Sequence, residues 1–221
     1  MEIKIHSHRH ALELLETVPE YKVLWEEIKQ AIESVNDDAV IEHFQRNFAG
    51  RPVKSLSRSI NTLLDNALSS MGWQSQSQIF SSSEYGDHTW RLDFAKELAF
   101  LDPEAVGSTD RNSGISVEVA FNHGGSIAWN LIKPVIASEI NHVPKAIQTS
   151  LGIVIAATEE LKISGGFDGA VGTYENYVSN LLPLRNLLTV PIAVIGLKSF
   201  ESFKIGHERR GNQTFGQIEM I

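Results

Sequence analysis

The chain has 221 residues, 42% hydrophobic and 21% charged, a balance that suits a packed globular core of one large domain or two small ones. No run of about 18 apolar residues occurs and the start, MEIKIHSHRH, lacks an apolar secretory segment, so neither a membrane span nor a signal peptide is expected. The absence of cysteine excludes disulfides, thiolate metal sites and cysteine nucleophiles, and a formal net charge of −8 lacks the basic footprint usual among nucleic-acid binders.

That charge is not decisive, because acids gathered at a metal site make an apo-protein more acidic than its working form. In chain order, residues 1–72 read as helical. VLWEEIKQAIESV sets Leu24, Trp25, Ile28, Ile32 and Val35 on one stripe, and LSRSINTLLDNALSSMG repeats the pattern with Gly72 as a C-terminal stop. Beyond residue 77 the period changes. TWRLDF reads as a strand, and LDPEAVGSTDRNSG, 101–114, as a polar insertion forming a mobile loop. ISVEVAF alternates strictly, with Ile115, Val117, Val119 and Phe121 on one face and Ser116, Glu118, Ala120 and Asn122 on the other. SIAWNLIKPVIASEI reads as a helix that Pro134 is expected to kink or break. LGIVIAAT reads as a buried central strand, TYENYVSNLLPLRNLL as a helix and VPIAVIGL as a closing buried strand. This alternation implies an α/β fold with parallel pairing and helices on the faces of the sheet. The expected organisation is a single domain with a helical part at 1–72, an α/β core at 77–200 and a C-terminal tail at 201–221.

Two acids are placed to carry chemistry. Asp93 lies on the strand before the insertion and Glu118 on the strand after it. If these strands are neighbours, their carboxylates converge, and paired carboxylates bind a hard divalent cation through oxygen. Asp110, eight residues before Glu118, competes as the first acid. Asp93 is preferred because it sits on an apolar-patterned strand, whereas Asp110 lies among turn-forming residues. The alternating His6, His8 and His10 have no acid partner nearby and read as surface. GGFDGAVGT, 165–173, is glycine-rich but lacks the lysine and spacing of a phosphate-binding loop.

An acid, a gap and then E-x-(D/E/K/Q) on a strand is the minimal signature of the PD-(D/E)xK nuclease core. Over about residues 3–200 the chain resembles the type II restriction endonucleases of the BglII/BstYI group, with BamHI-like enzymes more distant. The resemblance rests on the order of SHRHALELLE…LWEEIKQAIESV, LLDNALSSMGWQSQS, LDFAK, ISVEVAFN, LGIVIAATEEL and TYENYVSNLL…VPIAVIGL. It implies a restriction-endonuclease-like core: a mixed sheet flanked by helices, with a helical N-terminal part. It also implies hydrolysis of double-stranded DNA at a short palindromic site built around GATC, by a homodimer in a prokaryotic cytoplasm. Asp93 and Glu118 would be the metal ligands, for Mg²⁺, with Mn²⁺ able to substitute and Ca²⁺ binding without cleavage. Ala120 departs from the pattern, since Gln, Glu or Lys usually stands two residues after the glutamate. Lys96, His123 and Glu139 are the candidates to fill that gap and count as catalytic candidates. Asn122, His123, Lys133, Asp168 and Thr173 are the candidate DNA contacts, Asn122 being suited to an adenine edge. Two rival readings remain: a nuclease-like DNA-binding module that has lost cleavage, and an unrelated α/β enzyme using the same carboxylates on a small acidic molecule.

Overall fold

A computed structural model describes residues 1–98 and 113–221, so Asp110 and most of the expected loop lie outside the described residues. Six strands form one mixed sheet in the order β1-β6-β5-β4-β3-β2. They are β1 (Ile3–His8), β2 (Gln74–Gln78), β3 (Arg91–Glu97), β4 (Gly114–Val119), β5 (Leu151–Ala157) and β6 (Ile192–Leu197). The β4–β5 and β5–β6 pairs are parallel, as the strand–helix alternation predicts. The outer pairs, β1–β6, β2–β3 and β3–β4, are antiparallel, which makes the sheet mixed.

Alternation along the central strands sorts their side chains onto two apolar layers. Ile115, Val117, Ile153, Ile155, Ala193 and Ile195 join the larger core with Leu15, Leu24, Trp25, Ile28, Ile60 and Leu64. Those partners come from α1 (Ala11–Thr17), α2 (Pro19–Ser34) and α4 (Ser57–Ser70), and α3 (Asp37–Phe48) adds Val40 and Phe44. The stripe read from VLWEEIKQAIESV is thus the buried face of α2. Gly72 ends α4 with a left-handed φ of 84°, a conformation that is free of Cβ strain only for glycine. On the opposite layer, Ala120, Val154, Ala156, Ile192 and Val194 pack with Ile127 and Leu131 of α5 (Ile127–Glu139) and Tyr177 and Leu181 of α7 (Tyr174–Leu181). The short α6 (Glu159–Ser164) follows β5.

The structure corrects three expectations. The first 72 residues are not wholly helical, because β1 precedes the helices and pairs along its length with β6. That pairing spans nearly the whole chain, which a local pattern cannot reveal. Pro134 does not break α5, which runs through it from 127 to 139. Its ring lies over Gly152 of β5, where an added Cβ would stand 2.5 Å from the proline Cβ. The tail is a hairpin, β7 (Phe203–Arg210) with β8 (Gln213–Met220), turning at Gly211 with φ of 60°. Phe203 and Ile205 anchor it in the larger core. No helix among the described residues is long and apolar enough to cross a membrane.

Candidate active site

Along one line across three strands the β3–β4 ladder ends and the β2–β3 ladder skips a step. Between β3 and β4 the ladder joins Phe94 to Val117 and continues away from there to Gly114. One more step of the same register sets Asp93 against Glu118, and at that step the ladder ends. The Val119 amide donates instead to Asp93 Oδ2 at 2.8 Å, so a carboxylate takes up a backbone donor that would otherwise be orphaned. Between β2 and β3 the Gln76–Asp93 step is missing as well. Gln76 holds a left-handed φ of 50°, costly for a residue bearing a Cβ, and its side-chain amide approaches Asp93 Oδ1 at 3.5 Å. Asp93, Gln76 and Val119 line an open groove of about 320 Å³ together with Asn61, Thr62 and Asp65 of α4.

Glu118 is not a solvated surface acid. It is 2% exposed, because α5 covers the face of β4 that carries it. Burial, and then the neighbouring negative charge of Asp93, push its pKa up to about 8 against the pull of Lys133. Burial also raises Asp93, opposed by the Val119 amide and by Lys133. Lys133 Nζ donates to Glu118 Oε2 at 2.6 Å, and its side chain is 11% exposed. Glu118 Oε1 is buried and has no hydrogen-bond partner.

The other sequence candidates fall in different places. Lys96 points the other way, onto Glu27 at 2.7 Å and the Met71 carbonyl at 2.6 Å, where it ties β3 to the helices. Glu139 is exposed at the end of α5, six residues past Lys133. His123 is exposed and its ring folds onto its own loop, with Nδ1 accepting from the Gly125 amide at 3.0 Å. None of these three side chains makes a bond to Asp93 or Glu118. Asn122 is exposed, and its Oδ1 accepts from Asn130 Nδ2 at 3.2 Å, while the same Asn130 amide donates to the Tyr177 hydroxyl at 2.7 Å. The 122–124 backbone is tied to 170–172 by Gly172 N to Asn122 O and Gly124 N to Ala170 O. Thr173 is fully buried and caps α7 in a reciprocal box with Asn176. Asp168 is exposed and folds back on the Ala170 amide at 2.9 Å, on the rim of a second groove lined by Lys54, Arg58 and His207. Sequence reasoning missed Gln76, whose run QSQSQ carries no apolar signal, and it did not foresee the bond of Lys133 to Glu118.

The residues present fit a hard divalent cation. The orphaned Glu118 Oε1 is a desolvated acceptor beside a second carboxylate, and Asp93 opens onto the groove from which water and a phosphate would complete the coordination. Among the described residues no group of three or more His, Asp or Glu gathers.

The family described as restriction endonuclease BglII/BglIII matches residues 3–197. Among solved structures, BglII complexed with a DNA 16-mer is similar with a TM-score of 0.61 and 18% identity, covering 100% of this chain and 92% of that one. Free BglII aligns with a TM-score of 0.49 and 14% identity, with 100% of both chains covered. No curated protein sequence matches the chain. The structural likeness establishes a shared fold, and the family match spans both acid-bearing strands, the parallel core and β1. The chain belongs to the BglII/BglIII restriction endonuclease family and is a site-specific deoxyribonuclease.

Proposed function

We propose that this endonuclease cuts both strands of a short palindromic DNA site centred on GATC, using Mg²⁺ held by Asp93 and Glu118. The whole chain acts as one endonuclease unit, working as a homodimer in a prokaryotic cytoplasm. The observation that carries the reading is the carboxylate pair at the end of the β3–β4 ladder, buried Glu118 with one unpaired oxygen beside half-buried Asp93, which faces an open groove. When bound, the cation lowers the pKa of a water and offsets the charge gathering on the attacked phosphate. The protein's own part is placement. β3 and β4 fix the carboxylates, the Val119 amide orients Asp93, and α5 shields Glu118 from bulk water, where its charge would be screened. Asn122 stands at the end of the catalytic strand and is suited to an adenine edge or a phosphate. The 165–172 loop and the Lys54–Arg58 groove would follow the DNA backbone. A symmetric site is most simply read by a two-fold dimer, each subunit cutting one strand.

Supercoiled plasmid bearing many palindromes, incubated with protein and Mg²⁺, tests this directly. Discrete fragments are expected, and they should vanish with Glu118→Ala. Intact plasmid with Mg²⁺ or Mn²⁺, combined with a gel shift of one specific duplex, would select the cleavage-impaired reading that Ala120 motivates.

A further inference from the structure

The residue two beyond Glu118 is Ala120, and its position in the fold bars it from polar work. It is 1% exposed and packs under Ile127 and Leu131 of α5. The helix that seals it also brings Lys133, the one side chain among the described residues that bonds Glu118. Lys133 runs its alkyl stem through a nearly closed layer and ends with its ammonium 2.6 Å from Glu118 Oε2. Its charge acts on Asp93 as well as on Glu118.

We propose that Lys133, carried on α5, is the positioning residue that this chain uses in place of a polar side chain at 120. The inference rests on the reading of Asp93 and Glu118 as the cation's ligands. Lys133 has two effects. By engaging Oε2 it fixes the rotation of the Glu118 carboxylate and leaves Oε1 as the free oxygen. It also sets the charge of the site. Two carboxylates and one ammonium carry −1, and a divalent ion brings the total to +1. A phosphodiester gains one negative charge on attack, so a site of +1 favours the transition state over the ground state. Without the ammonium the loaded site is neutral and that preference weakens. The same ammonium repels the incoming cation, so its removal should tighten cation binding while slowing cleavage. A side chain needed only for packing would not produce that opposed pair of effects.

The test uses the full chain with Lys133→Met, which keeps length and apolar stem, and Lys133→Arg, which keeps the charge. Three quantities are read: the single-turnover cleavage rate in Mg²⁺, affinity for the cognate duplex in Ca²⁺, and Ca²⁺ affinity of the DNA-free protein by calorimetry. Lys133→Met is expected to cut about 100-fold more slowly, in the range found when one preorganised donor is removed. It should hold the duplex within about fivefold of the parent and bind Ca²⁺ at least about threefold more tightly, the like-charge repulsion having gone. Lys133→Arg should retain most of the rate. The inference falls if Lys133→Met cuts within about threefold of the parent. It falls equally if cleavage, duplex binding and Ca²⁺ affinity all drop together, or if Lys133→Arg is as slow as Lys133→Met. A parent protein that cuts no plasmid under any divalent ion would overturn the nuclease reading itself, and Lys133 with it.

Discussion

Glu118 and Asp93 are buried enough for their protonation to govern how the metal-free protein behaves. The folded pKa of Glu118 is raised from 4.5 to about 8, so between those values the folded chain holds a proton that the unfolded chain has released. Stability from this group is therefore fully present below about pH 4.5 and is lost as pH rises through about 8, with a limiting slope near 1.4 kcal/mol per pH unit. Asp93 is shifted in the same direction. Thermal melts in chelator should show Tm falling between about pH 5.5 and 7.5, a window set by these two raised carboxylates. Glu118→Gln should flatten most of the slope, leaving the part due to Asp93. A Tm that is level or rising over that window in the parent would contradict the burial of Glu118. A bound divalent cation competes with these protons, so the stabilisation it gives should grow over the same range.

The elements around the site are held by close contacts that admit little change. α5 lies on β5 through Pro134 and Gly152, and Lys133 is the residue next to that contact. Gly152→Val would drive a side chain into the proline ring, and overpacking of this kind costs about 1–3 kcal/mol. Tm should fall by several degrees, and cleavage should slow by more than the loss of folded protein explains, because α5 also sets the Lys133–Glu118 distance. Equal losses of folded fraction and activity would show that α5 does not position the site. The helices and the central strands were legible in their apolar periods, as with Leu24, Ile28 and Ile32 on α2 and the runs at 151–157 and 192–197. β2 was not, because an edge strand reading QSQSQ buries almost nothing and so carries no period. Pro134 misled for a related reason. Its cost to the helix is local, but the glycine that accommodates it lies on another strand.

For the molecule as a whole, the charge of −8 must be reconciled with a polyanionic substrate. The reconciliation is regional. Lys54, Arg58 and His207 line one groove, while Asp93 and Glu118 are the proposed ligands of a divalent cation, which would offset their charge. Duplex affinity should therefore be weak in chelator, rise when Ca²⁺ is added and fall steeply with monovalent salt. Affinity indifferent to Ca²⁺ would argue against a cation at the DNA interface. Sedimentation of the cognate complex should report two chains of 24.5 kDa on one duplex. A single chain per duplex would remove the two-fold reading of the site.

The sequence by itself determined the parts of this protein whose cause is local or repetitive. Apolar periods drew α2, α4, β4, β5 and β6, their alternation implied parallel pairing, and the order of motifs pointed to the nuclease family. The same patterns put Asp93 and Glu118 on two strands, and the structure made those strands neighbours. Only the tertiary structure decided what surrounds those two acids. It turned Lys96 toward Glu27, withdrew Thr173 into a helix cap and brought Lys133 down onto Glu118. The reason is that a charged side chain's partner is fixed by which faces meet in space. Neither the period nor the spacing of a strand records which helix will be laid across it.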